Sequence, residues 1–230
     1  MLQNNIVSTK KIVIKNEMKY DDQIVLTYKI EYPEFKSSYY QMSLMVINKF
    51  YKEKALEYEK YCKTELFNAA VEQYKYDDEN GFPVRSYEAL VVYDSTYNSC
   101  CIISLYFDQY EYTGGAHGNT LRYSQTFNLQ KCIRIALKQL FVCPSLDYKA
   151  YILKQVKAQI EQDTSIYFDD YAKLIVDTFN EESFYCTSEG IVVYYQQYDI
   201  APYSSGIREF LIPYSDCVIN PIEKCFPIKL

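Results

Sequence analysis

Between residues 44 and 69 apolar side chains return at spacings of three and four: Leu44, Ile47, Tyr51, Ala55, Tyr58, Cys62, Leu66 and Ala69. That is the period of one face of an α-helix. The opposite face carries Lys52, Glu53, Glu57, Lys60 and Lys63, which support one another in water. A helix this long must bury its apolar stripe against a second layer, and because the flanking segments read as strands that layer is expected to be a sheet. Ser37 and Ser38 are the expected amino-terminal caps, and Asn80-Gly81 with Pro83 the expected stop.

Residues 6–15 alternate loosely around Ile12 and Ile14, and residues 23–32 place Ile24, Leu26, Tyr28 and Ile30 on one face. These read as two strands joined at Asp21-Asp22, with Pro33 ending the pairing because it has no amide hydrogen. After the helix, residues 84–97, 100–110 and 120–129 predict an antiparallel meander with turns at Asn98-Ser99 and at 112–119. Both parities of the middle strand are apolar or aromatic. One face should therefore meet the helix, and the other a second layer or a partner. Residues 135–141 and 147–163 read as helices, and Asp169 or Asp170 caps a further one ending near Phe179. Short strands follow at 183–186, 191–197 and 207–212. The fold class is α+β: an antiparallel sheet packed by a long helix (1–130), followed by a smaller half of helices and strands (131–230), the two packed as one compact unit.

The turn at 112–119 has an unusual composition. Tyr112-Thr113-Gly114-Gly115-Ala116-His117-Gly118-Asn119 holds three of the six glycines and the only histidine. Glycines admit positive φ and the close approach of other groups, and Asn119 tolerates the left-handed region. Two readings stay open: a purely structural loop with a packed, hydrogen-bonded His117, or a recognition loop mounted on a rigid sheet.

Composition removes several classes. A net charge of −6 and a pI near 5.0 argue against a nucleic-acid partner. No apolar run is long enough to span a bilayer. Residues 1–16 lack the apolar core and cleavage site of an export signal, so the chain as written is expected in the cytoplasm, and outside it if a targeting segment was removed. The eight cysteines form no C-x-x-C pair and no zinc spacing, and they are expected to be reduced, structural thiols. Twenty-seven tyrosines against no tryptophan supply amphipathic surface that suits interfaces, while the tyrosines of the helical stripe read as core.

Three segments carry a resemblance. The 112–119 loop stands before a strand; Phe127-Asn128-Leu129 precedes Leu140-Phe141; and Glu189-Gly190-Ile191-Val192-Val193-Tyr194-Tyr195 leads through Tyr198-Asp199-Ile200-Ala201-Pro202-Tyr203-Ser204-Ser205-Gly206 to Leu211-Ile212-Pro213-Tyr214. Together they resemble the RsiV-like family, paired domains of unknown function found in the extracytoplasmic part of a lysozyme-sensing anti-sigma factor and at the front of some peptidoglycan deacetylases. The resemblance implies an α+β fold and a non-enzymatic sensing or binding role at a Gram-positive cell envelope. Its implied partner is a lysozyme-like protein or a peptidoglycan fragment.

The expected binding residues are Tyr112, Gly114, Gly115, His117, Gly118, Asn119, Pro202 and Tyr203, with no cofactor and no catalytic group. No nucleophile elbow and no phosphate-binding loop occurs. Two alternatives remain: a single-histidine or metal-assisted hydrolase of cell-wall material using His117 with Asp108 or Glu111, and a structural accessory domain.

Overall fold

The computed structural model of the chain describes residues 7–143 and 147–226. The expected start of the first strand at Ile6 falls outside them. A hairpin of β1 (Ser8–Tyr20) and β2 (Gln23–Lys36) opens the fold. Its turn puts Asp21 and Asp22 at φ 46° and 62°, the doubly left-handed geometry that matches the twist of a hairpin. Pro33 does not end the pairing, as the sequence suggested. It sits opposite Lys11 within β2, beyond Ile30, the last residue of β2 that pairs on its other side.

The long helix is α1 (Gln41–Tyr61), continued through a π-helical turn at Cys62–Leu66 into α2 (Phe67–Asn80). The wider turn rotates the buried face, so Ala70 and not Ala69 follows Leu66 into the core. Neither Ser37 nor Ser38 caps the helix; Tyr40 holds that position and makes no side-chain cap bond. Gly81 ends it at φ +69°, where Phe82 N–H reaches Asp77 O at 2.8 Å and Gly81 N–H reaches Asp78 O at 3.3 Å.

The helical crossover makes β2 and β3 (Tyr87–Ser99) parallel, the one parallel junction in an otherwise antiparallel six-stranded sheet ordered β1 to β6. The meander continues through β4 (Ile102–Tyr112) and β5 (Asn119–Asn128), and β3 turns into β4 at Cys100-Cys101, two residues later than expected. Where a helix was expected at 135–141, a short β6 (Ile133–Arg134) and a 3₁₀ turn at Leu137–Leu140 occur.

The second half contains α3 (Tyr148–Ile160), capped by Asp147, and α4 (Tyr171–Asp177). A three-stranded antiparallel sheet follows, made of β7 (Phe184–Cys186), β8 (Gly190–Tyr195) and β9 (Arg208–Pro213). One hydrophobic cluster runs through both halves, from Leu26, Leu44 and Leu105 to Ile152, Ile191 and Ile212.

The small sheet meets the large one at the free edge of β7, which would otherwise bury unpaired backbone groups. Hydroxyls of the large sheet satisfy them. Cys186 N–H donates to Ser104 Oγ at 2.9 Å, Ser124 Oγ donates to Phe184 O at 2.5 Å, and Thr96 Oγ1 donates to Cys186 O at 2.7 Å. Beside them Arg122 grips Asp108 through two bonds of 2.6 and 2.7 Å, pairs with Glu209 of β9, and lies 3.8 Å over the Tyr106 ring.

The expectation of reduced thiols is overturned. Cys101 is bonded to Cys225 and Cys143 to Cys217, tying the β3–β4 turn and the segment before α3 to the carboxy-terminal stretch. Sequence separations of 124 and 74 residues hide both pairings from any local pattern. Cys62 and Cys186 are buried outside the bridges, and burial pushes both thiols up to about 12.

Candidate functional site

The glycine loop closes β4 onto β5 between the rung Glu111–Asn119 and its own tip. Gly114 takes φ +84°, and the carbonyl oxygens of Gly114 and Gly115 both accept from Arg85 Nη1 at 3.1 Å. Gly118 is buried for a different reason. A Cβ there would lie 2.3 Å from the Tyr110 ring and 2.6 Å from Glu111 O, so only hydrogen fits. Tyr112 stands half-buried opposite Glu88, while His117 and Asn119 are exposed.

The second loop, between β8 and β9, comes to the same place. Ile200 and Ala201 are buried anchors, Phe168 N–H donates to Ile200 O at 3.1 Å, and exposed Pro202 starts a 3₁₀ turn at Tyr203–Ser205. Gly206 ends that turn at φ +66° and ψ −161°, a region essentially reserved for glycine.

Side-chain amides weld this loop to the free edge of β5. Gln196 donates from Nε2 to Arg122 O at 2.6 Å and accepts at Oε1 from Arg122 N–H at 2.9 Å, acting as one rung of a strand. Gln197 Oε1 accepts from Thr120 N–H at 2.7 Å.

The loops then join through aromatic rings. His117 stacks on Tyr203 with ring centres 3.7 Å apart and planes 15° apart, and Tyr198 stands 6.4 Å from His117 and 5.9 Å from Tyr203. His117 Nδ1 donates to Gly118 O at 3.0 Å, and Nε2 lies 3.3 Å from the Tyr198 hydroxyl. Tyr198 itself is 52% exposed at φ +68°, a left-handed conformation rare for a tyrosine. The structure thus brings His117, Pro202 and Tyr203 into one surface and adds Tyr198. Sequence reasoning passed over Tyr198, although it opens the Tyr-x-Ile-Ala-Pro-Tyr segment.

The acids considered as partners for His117 are committed elsewhere. Asp108 is held by Arg122. Glu111, on the opposite face of β4, accepts from the Tyr58 hydroxyl at 2.7 Å, the Tyr61 hydroxyl at 3.3 Å and Gln109 Nε2 at 3.1 Å. Among the described residues no three His, Cys, Asp or Glu side chains gather as metal ligands. Among them, too, no helix is long and apolar enough to cross a membrane.

Residues 19–120 match the family model described as Deacetylase PdaC, and residues 138–215 match the Protein of unknown function DUF3298. The two loops that meet at His117 and Tyr203 therefore come one from each matched region. The chain thus carries a PdaC-like region followed by a DUF3298 region, the paired arrangement that the resemblance implied. Solved DUF3298 structures share its fold. One from Bacteroides fragilis NCTC 9343 is 22% identical, covers 94% of this chain and 95% of its own, and superposes with a TM-score of 0.67. Another from Pseudomonas aeruginosa PAO1 is 15% identical, covers 91% and 92%, and gives 0.60. No curated protein matches the chain. The candidate site lies where loops of the two matched regions touch, beside the contacts that the edge of β7 makes with Thr96 and Ser104.

Proposed function

We propose that the chain is a non-enzymatic binding domain that recognises a protein through the joined loops, with His117, Tyr198, Pro202 and Tyr203 as the contact surface and Gly114, Gly115 and Gly118 as its shaping residues. The observation that carries this reading is the His117–Tyr203 stack. It commits the imidazole face to a ring and both nitrogens to the protein, which suits a group that shapes a surface and not one that shuttles protons. Exposed Tyr198 and half-buried Tyr203 on a fixed frame give contact area at small entropic loss.

The RsiV-like resemblance and the net charge of −6 favour a basic partner, lysozyme being the first to try. The two disulfides support a working place in an oxidising compartment outside the cytoplasm. Titration calorimetry with lysozyme tests the reading. Native protein should bind, and His117→Ala and Tyr203→Ala should each weaken binding by about tenfold or more, about 1.4 kcal/mol. Equal affinity in folded variants rejects these residues as the contact.

A further inference from the structure

A sheet edge is a row of amide hydrogens and carbonyls without a neighbouring strand, and this chain covers most of its edges with particular side chains. On β5 the amides of Gln196 and Gln197 bond the backbone of Arg122 and Thr120, and β6 pairs with Phe127 and Asn128. On β7 the hydroxyls of Thr96, Ser104 and Ser124 take the outward groups. On β9, Gln159 of α3 donates from Nε2 to Leu211 O at 3.0 Å.

β1 is left out of this pattern. It is the outer strand of the large sheet, thirteen residues long, and among the described residues no hydrogen bond from outside the β1–β2 hairpin reaches its backbone. Glu17 N–H turns to the Asn16 side chain, with Oδ1 at 3.0 Å. An outward donor at Glu17 puts those of Val13 and Lys15 on the same side, because inward and outward residues alternate along an antiparallel strand. The register is unbroken from Ser8 to Met18, and where it shifts, before Lys19, the extra residue is Val25 of β2. Proline, a bulge and shortness, the usual means of blunting an edge, are all missing from β1.

What β1 carries is charge, mostly of one sign. Four of its thirteen residues are lysine and one is glutamate, in a chain of net charge −6. Lys11 is paired with Glu31, whereas Lys10, Lys15 and Lys19 make no ion pair among the described residues. Lys11, Val13, Lys15, Glu17 and Lys19 alternate to one face of the strand. Ile12, Ile14, Met18 and Tyr20 stand half-buried on the other, the last three against the core.

Lysines on an edge discriminate between the strands that could join it. Two copies of β1 side by side would double the excess of positive charge along one seam. A strand with acidic residues opposite Lys15 and Lys19 gains from the same charges, and apolar residues at its alternate positions extend the layer that Ile12, Ile14 and Met18 begin.

We propose that β1 is a docking edge for an extended acidic segment of a partner protein, which adds a strand to the large sheet with its acidic and apolar residues in alternation. Strands β2 to β4 stand between this edge and β5, so it is separate from the joined loops, and it takes a partner of the opposite charge.

Calorimetry and sedimentation on the full chain at about 50 mM salt test this with blocked synthetic peptides about eight residues long. The peptides are alternating Val and Glu, alternating Val and Lys, and the Val-Glu peptide with its central valines replaced by proline, which keeps the charge and cannot pair as a strand. The Val-Glu peptide should bind with a Kd of roughly 10 µM to 1 mM, and the other two should not. Lys15→Glu with Lys19→Glu in the same chain should weaken binding by about tenfold or more, as should Val13→Pro, which removes an outward donor. His117→Ala should leave it unchanged. The proposal is overturned if the Val-Glu peptide does not bind, if either control peptide binds as tightly, or if a folded Lys15→Glu/Lys19→Glu or Val13→Pro chain keeps native affinity. It is equally overturned if the native chain sediments as a dimer that Val13→Pro dissociates, because a second copy then holds the edge.

Discussion

The imidazole of His117 lies face to face with the phenol ring of Tyr203, 86 positions later in the chain, with ring centres 3.7 Å apart. One ring belongs to the β4–β5 turn and the other to the β8–β9 turn, so the stack clasps the two halves of the molecule. The clasp has a frame beneath it: Arg85 on the carbonyls of Gly114 and Gly115, and the Gln196 amide on both backbone groups of Arg122.

The geometry of that frame makes the glycines unequal. Gly118→Ala forces a methyl group into the Tyr110 ring and the Glu111 carbonyl, and should cost about 1–3 kcal/mol in a denaturant melt. Gly115→Ala meets nothing nearer than His117 O at 3.9 Å and should change stability by less than about 0.5 kcal/mol. Equal effects at the two sites would show that the loop is not packed as described.

The disulfides should appear both in thiol counts and in stability. Denatured without reductant, the sulfurs of Cys101, Cys143, Cys217 and Cys225 should not titrate; folded, Cys132 is an exposed thiol. Reduction should lower the melting temperature, because a loop as long as the one closed by Cys101–Cys225 contributes on the order of 4–5 kcal/mol. Eight reactive thiols in the denatured, unreduced chain would contradict both pairings.

Asp199 gives the second loop a pH signature. Burial raises its carboxyl above the ordinary 3.8, outweighing the opposing bond from Gln196 N–H at 2.7 Å. Its stabilising contribution is therefore complete below pH 3.8 and is lost as pH rises through the folded value, so the ionised form costs stability at neutral pH. Asp199→Asn keeps an acceptor for Gln196 and removes the charge. It should melt higher than native protein at pH 7, with the gap closing toward the acid side; a variant that melts lower at pH 7 would contradict this.

Periodicity made much of the architecture legible. The Leu44, Ile47, Tyr51 and Ala55 stripe and the Gly81 stop are local signals, and each is where its residues place it. What escaped depended on distance or on a single residue's geometry. The π-helical turn at Cys62–Leu66 moved burial from Ala69 to Ala70, a shift that no helical period contains. The parallel pairing of β2 with β3 is set by the crossover and not by the composition of either strand.

The hydroxyls of Ser104 and Ser124 interrupt an apolar pattern because they serve the edge of β7, more than fifty residues away. His117 and Tyr203 were both singled out in the sequence, but their contact, and the part of Tyr198 in it, required the fold.

The most direct test of the joined-loop surface is a double-mutant cycle on partner binding, using His117→Ala, Tyr203→Ala and the pair, each variant first shown to melt as a folded chain. The two losses should overlap, the double variant falling short of their sum by about 1 kcal/mol or more, because removing either ring already dismantles the stack. Strictly additive losses, or none at all, would contradict a binding surface built on that contact.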